Sequence, residues 1–268
     1  MSNPNLQQIP ARHPELGPLI RSIFIPEEKH TWGSFDYSQQ EPRLVAHYSS
    51  AIGQQLDGSE EFIKAYQDES ADFHQIVADM ANIPRKQAKT INLGLSYGMG
   101  KEKLINELGL DDNEAQKLFD QYHEKVPFIK GLQDQCTRIA TDRGYIKTLG
   151  GRRCRFDLWE SRFERTTPLP LEEAKSEYGE SLKRSFTYKA LNRLIQGSAA
   201  DMTKLAMLEL WKEGIIPHLQ IHDEVDISVK DKTEAKRVCE IMRDCVDLVV
   251  PLLVDYELGP SWGQTEEQ

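Results

Sequence analysis

The feature that most constrains this chain is an apolar repeat that ends in two short strands. Leu191, Leu194, Ile195, Met202, Leu205 and Leu208 recur at helical spacing within residues 183–212. Directly after them, PHLQIH and VDISV read as strands joined tightly at Asp223-Glu224. A helix with one apolar stripe followed by a hairpin calls for both helices and sheet, and it sets two carboxylates at a sheet edge.

The rest of the chain supplies partners. HTWGSFDY, residues 30–37, reads as a strand delivering Asp36 at its end, and helical spacing follows from Glu41, with Pro42 suited to a first turn. Residues 70–108 read as helical, interrupted near Pro84 and at Tyr97-Gly98-Met99-Gly100. A long helix is predicted over 112 to 142 with a break at Pro127, because proline removes a backbone donor and clashes with the preceding turn. GYIKTLGGRRCRF reads as a hairpin whose second strand is basic, and the polar stretch 157–180 reads as irregular. A last helix (233–249) and a closing strand, PLLVDYEL, complete the pattern, with no internal repeat.

Composition narrows the class. At 268 residues and 39% hydrophobic the chain can bury a core, as one large domain or two interleaved subdomains. It has no apolar run long enough to span a membrane, and its first residues carry neither a basic nor an apolar signal region, so a soluble, non-exported, cytoplasmic protein with no membrane partner is expected. Cys136, Cys154, Cys239 and Cys245 are scattered outside any metal-ligand spacing. A net charge of −10 argues against a protein that coats nucleic acid indiscriminately, although RKQAK, GRRCR and LKR form local basic clusters.

Three constellations carry chemistry. Asp36 and Asp223, each short and each on a strand end or turn, would repel one another if brought together, and a pair of Mg²⁺ ions resolves that repulsion while clamping the oxygens of a phosphoryl transfer. Singly, each is as well explained by a solvated turn. Arg85, Lys89, Leu93 and Tyr97 step by four along one helix side, two charges followed by an apolar residue and a ring, which suits a triphosphate with its base; a bare basic helix end is the commoner reading of such spacing. His74 adds a candidate phosphate donor. On the later helix Lys189, Asn192, Gln196 and Thr203 fall roughly along one stripe, where amides reach minor-groove acceptors without reading sequence closely; an ordinary amphipathic surface fits equally.

In order, NPNLQQIP, DYSQQEPRLVAHYS, RKQAKTINLGLSYG, NRLIQGSAAD, QIHDEV and PLLVDYELGPSW resemble successive signatures of the family-A (DNA polymerase I type) DNA polymerases, from about residue 3 to 262. DYSQQEPR and KALNRLIQGSAADMTK look phage-like. The resemblance implies an α+β fold, an antiparallel palm sheet with packed helices and an inserted, mostly α-helical fingers subdomain. It places the palm in residues 1–60 and 186–268 and the fingers in 61–185.

The resemblance also implies roles. Asp36 and Asp223 would bind two Mg²⁺ with the Tyr37 carbonyl, Glu224 supporting them and His222 touching the primer terminus. Arg85 and Lys89 would hold the dNTP, Lys89 serving the departing pyrophosphate, with His74 and Gln39 completing the pocket and Tyr97 stacking near the templating position. Glu41 matches the sugar gate that excludes a ribose 2′-OH. Asn192 and Gln196 match primer-template contacts; Lys189 stands near a position where many cellular members carry arginine. Leu93 replaces the usual aromatic ring, so slower incorporation and altered handling of 3′-modified sugars are expected; a Leu93→Phe variant unchanged in both would refute this.

The signatures of a thumb, an upstream active-site arginine and a proofreading exonuclease are not found, so the expectation is a split polymerase or cut fragment in which a separate N-terminal chain supplies thumb and exonuclease for viral replication. Against the polymerase stand a non-catalytic DNA-binding or assembly module, a single-subunit RNA polymerase, disfavoured by Glu41, and a two-metal nuclease, which has no use for the Arg85–Tyr97 helix.

Overall fold

The structure is a computed structural model of the 268-residue chain that describes residues 9, 13–51, 56–68, 72–96, 105–106 and 108–267. In chain order its strands are β1 (Thr31–Tyr37), β2 (Tyr145–Lys147), β3 (Arg153–Arg155), β4 (Leu158–Ser161), β5 (Leu169–Pro170), β6 (Leu182–Arg184), β7 (Pro217–Ile221), β8 (Glu224–Val229), β9 (Val254–Gly259) and β10 (Glu266–Glu267). The fold is α+β with antiparallel sheets. Its contacts fall into two compact units, Met1–Arg43 with Ala199–Gln268, and Leu44–Ser198, so the second is inserted in sequence within the first. Among the described residues no helix is long and apolar enough to cross a membrane.

The first unit is built on a five-stranded sheet in the order β10-β9-β1-β8-β7. β1 lies at its centre, antiparallel to β8 and β9, so every residue from Trp32 to Asp36 is paired on both sides. Trp32, Phe35 and Tyr37 are buried, as expected of a central strand rich in aromatic residues. The helix Lys232–Asp244 buries Ala235, Val238, Ile241 and Met242 along one stripe, and Asp231 caps it by accepting from the amides of Thr233 and Glu234 at 2.8 and 2.9 Å. The Tyr37 hydroxyl donates to the Met242 carbonyl at 2.7 Å and so ties that helix to the sheet. Fully buried Arg43 donates to the Ser38 carbonyl at 2.9 Å and the Pro251 carbonyl at 2.6 Å, fixing the chain as it leaves β1.

The second unit is mostly helical. Phe62 packs its ring against Phe128 at 4.8 Å, Tyr66 at 5.1 Å and Phe73 at 5.5 Å, a cluster that joins three helices. Helices Asp112–Lys125 and Pro127–Arg143 part at Pro127 as predicted, the first opened by a capping box between Asp111 and Glu114. The β2–β3 hairpin lies on the first turns of the helix Ala190–Lys212. There the Leu149 amide donates to Ser198 Oγ at 3.0 Å and Arg152 to the Gly197 carbonyl at 2.8 Å.

Three expectations change. The stretch 157–180 is not irregular: it holds β4, β5 and the helix Leu171–Tyr178, and β4 pairs with β5 and β6. Its order rests on a few anchors such as Arg184, whose guanidinium stacks 4.3 Å over the Trp159 ring, and polar composition hides these. The helix expected from residue 183 starts at Ala190, because Lys183 and Arg184 are drawn into β6 and Phe186 adopts φ 61°, a left-handed conformation no helix continues through. The helix expected to reach residue 249 stops at Asp244.

Candidate active site

The first unit brings carboxylates together. Antiparallel pairing sets Asp36 opposite Glu224 on one side and Asp255 on the other, and Asp223 lies in the β7–β8 turn within side-chain hydrogen-bonding reach of Asp36. Solvent reaches Asp36, yet burial by the surrounding protein, then repulsion from Asp223, Glu224 and Asp255, pushes its carboxyl up to about 7. Glu41, half-buried one helical turn beyond β1, is raised by burial and by Asp223. Gln40 is buried instead: its amide donates to Thr203 Oγ1 at 3.2 Å and to the Ala199 carbonyl at 3.3 Å, so Thr203 is a core residue and leaves the exposed stripe read from sequence.

Two flanking residues are strained. Gln39 has φ 55° and His222 φ 57°, in the left-handed region that residues with a Cβ seldom enter. Each stands close to a candidate metal ligand in sequence, Gln39 two residues after Tyr37 and His222 directly before Asp223. Such conformations persist when the surroundings over-determine them, and they concentrate at functional sites.

In the second unit, Arg85 and Lys89 are exposed on the helix Arg85–Ser96, and both press on His74, because their charges oppose its protonation. Burial lowers the His74 pKa first; Asp72 opposes the shift, while Arg85 and Lys89 add to it. The Tyr122 hydroxyl donates to Asn92 Oδ1 at 2.6 Å, which turns the Asn92 amide nitrogen toward His74 Nδ1 at 3.2 Å. Nδ1 thus accepts, leaving the ring proton of neutral His74 on Nε2. Asp72 both caps the helix Phe73–Ala81 and holds Arg85, at 2.6 Å to Nη2 and 3.2 Å to Nε.

Asn192 is half-buried and Gln196 exposed, four apart on the helix Ala190–Lys212. Lys189, exposed in the preceding 3-10 turn, sits 4.9 Å over the Phe186 ring. Leu93 lies in a described helix, although its side chain, like the whole of Tyr97, falls outside the described residues. Sequence reasoning missed Asp72, Asn92, Tyr122 and Asp255. Only the sheet pairing or a shared hydrogen bond marks them, and a linear pattern carries no sign of either.

Among the described residues no group of three or more His, Cys, Asp or Glu side chains is arranged to hold a metal ion by itself. The pair Asp36–Asp223 nevertheless fits a hard divalent cation: its donors are carboxylate oxygens, and, beyond burial, the charges of Asp223, Glu224 and Asp255 all push the Asp36 carboxyl up.

A central antiparallel strand ending in an aspartate, a second aspartate in the adjoining turn and an inserted helical unit with a cationic helix define a polymerase-type α+β domain. The chain belongs to DNA polymerase family A, whose family model matches residues 1–264. It is 40% identical to a DNA-directed DNA polymerase of Pseudomonas phage M6, over 98% of this chain and 42% of that protein. It is 35% identical to the thermostable DNA polymerase I of Thermus aquaticus, over 99% of this chain and 31% of that protein. The polymerase domain of Pol1 from M. smegmatis, solved with DNA primer-template and dNTP, superposes with a TM-score of 0.76 at 29% identity, covering 98% of this chain and 45% of that one. The chain spans less than half the length of these relatives.

Proposed function

We propose that this chain is the catalytic fingers-and-palm portion of a template-directed DNA polymerase, transferring nucleotides from dNTPs to a primer 3′-OH. The observation that carries the reading is the crowding of Asp36 and Asp223, with Glu224 and Asp255 beside them, at one end of the central strands. Asp36, Asp223 and the Tyr37 carbonyl would hold two Mg²⁺ ions, which when bound neutralise this charge and stabilise the attacking and leaving oxygens.

The chain's own groups do the rest. Arg85 and Lys89 draw in the triphosphate, and Lys89 neutralises or protonates the departing pyrophosphate. His74 donates from Nε2 to a phosphate oxygen. Gln39 completes the pocket and Tyr97 stacks near the template base. Glu41 fills the space a 2′-OH needs. Lys189, Asn192 and Gln196 contact primer-template, and His222 meets the primer end. We assign the palm to residues 1–60 and 186–268 and the fingers to 61–185; the contact units support one part inserted in sequence within the other, though they divide the chain after Arg43 and after Ser198. A separate N-terminal chain bearing thumb and exonuclease, a role in phage replication and a cytoplasmic location complete the proposal.

Primer extension on a defined template with Mg²⁺ tests it, with and without a thumb-bearing partner and with dNTPs or rNTPs. The reading expects dNTP-dependent extension, enhanced by the partner and abolished by Asp223→Ala. DNA binding without any extension would instead identify a binding or assembly module.

A further inference from the structure

The C-terminal turn carries a side chain that reaches the carboxylate cluster. Trp262 is 3% exposed, and its indole Nε1 donates to Glu224 Oε1 at 2.8 Å. Glu224 is the residue paired with Asp36 across the sheet, and it directly follows Asp223. The indole itself has little freedom. Its backbone amide donates to the Phe24 carbonyl at 3.0 Å, the Phe24 ring meets it edge-on at 5.4 Å, and the Arg21 guanidinium lies 4.2 Å over its face. Gly263 closes the arrangement: a Cβ there would lie 2.3 Å from the Pro18 carbonyl oxygen.

Glu224 also has a fixed neighbour on its strand. Two residues along β8, on the same face, Asp226 is fully buried, its Oδ1 accepting from Trp32 Nε1 at 3.1 Å and Ser34 Oγ at 2.6 Å. Glu224 therefore lies between the buried Asp226 carboxyl and an indole N–H, which holds it. An indole nitrogen only donates, so its preferred partner is an ionised carboxylate.

We propose that Trp262 is a positioning residue for the catalytic carboxylates: its N–H fixes the Glu224 carboxylate beside Asp36 and so sets the divalent-cation affinity of the Asp36–Asp223 pair. The inference rests on the reading that this pair binds Mg²⁺. Without the N–H, repulsion from Asp36 turns Glu224 outward. That change removes negative field from the cation site.

Trp262→Phe tests this, since it keeps an aromatic ring and deletes the donor. Mn²⁺ binding to the free protein, followed by electron paramagnetic resonance, is expected to weaken by about fivefold to tenfold, the scale of one net intramolecular hydrogen bond. The Mg²⁺ concentration for half-maximal primer extension should rise alike, with kcat reduced at sub-saturating Mg²⁺ and the KM for dNTP unchanged. Glu224→Gln should reproduce the effect, and the double variant should be no worse than Glu224→Gln alone. If Trp262→Phe fails to fold, replacing Trp262 by benzothienylalanine, which keeps the bicyclic ring and lacks the N–H, gives the same comparison. Wild-type Mn²⁺ affinity in the folded donor-less variant, or additive effects in the double variant, overturns the proposal while the polymerase reading stands. A wild-type chain that neither binds Mn²⁺ nor extends primers overturns both.

Discussion

Asp72 holds Arg85 by two contacts of 2.6 and 3.2 Å while its other oxygen caps the helix Phe73–Ala81. Burial raises the Asp72 pKa, but the hydrogen bond and charge of Arg85 together with the Gln75 and His74 amides outweigh it and lower the carboxyl; both side chains are substantially exposed, 39% for Asp72 and 49% for Arg85. A guanidinium engaged by a carboxylate is not free to clamp a phosphate.

If Arg85 binds the incoming triphosphate, Asp72 competes with it. Asp72→Asn keeps the cap and removes the competing charge. Exposed pairs are worth at most about 1 kcal/mol, so the KM for dNTP is expected to fall by roughly twofold to fivefold with kcat unchanged. Steady-state kinetics check this; an unchanged or raised KM would count against Arg85 as a phosphate ligand.

Glu41→Ala should relax sugar selection. The half-buried carboxyl leaves a gap where it stood, and the ratio of rNTP to dNTP incorporation is expected to rise at least tenfold, equivalent to about 1.4 kcal/mol of lost discrimination. Single-nucleotide incorporation against matched templates measures it.

Buried Asp226 makes stability depend on pH. Burial, then repulsion from Glu224, raises its pKa from 3.8 to about 8. Between those values the folded protein binds more protons than the unfolded chain, so stability falls as pH rises through this window. Asp36, raised to about 7, acts in the same direction. Asp226→Asn has no proton to lose, so thermal melts in metal-free buffer from pH 5 to 9 should show a shallower decline than wild type.

Gly197 marks the docking of the basic hairpin. A Cβ there would sit 2.6 Å from Cγ2 of Thr148, a stiff, buried side chain. Gly197→Ala is expected to destabilise by about 1–3 kcal/mol, with Thr148→Ser restoring most of the loss by removing that methyl. Chemical denaturation of the single and double variants decides it.

The outer face of that hairpin sets exposed Lys147 directly opposite exposed Arg153. Like charges in such a pair destabilise the free protein slightly, so Lys147→Gln with Arg153→Gln should leave melting unchanged or raise it. If the face meets DNA phosphates, the same variant should bind duplex more weakly, with a salt dependence shallower by about 0.9 per lost phosphate contact.

Much of this architecture was legible in the residues. The β1 strand, the break at Pro127 and the turn at Asp223 follow from aromatic richness, a missing backbone donor and two flanking apolar runs. Boundaries were legible only where a local signal existed. Nothing around Phe186 advertises its left-handed backbone, which delays the following helix to Ala190. At the site, Asp36 and Asp223 stood out through their strands and by resemblance, whereas Asp255 enters only through pairing with β1 and Asn92 only through Tyr122 and His74. Such partners are chosen by the folded chain in three dimensions, which one-dimensional periodicity does not record.

The position of β1 between two antiparallel neighbours joins assembly to chemistry. Sliding this strand by a single residue would expose Phe35 and sink Asp36 into the interior, trading an oily side chain for a charge in both places. A misaligned protein is therefore penalised long before any substrate arrives. The register that buries Phe35 is thus the one that sets Asp36 between Glu224 and Asp255, so core and carboxylate cluster are fixed together.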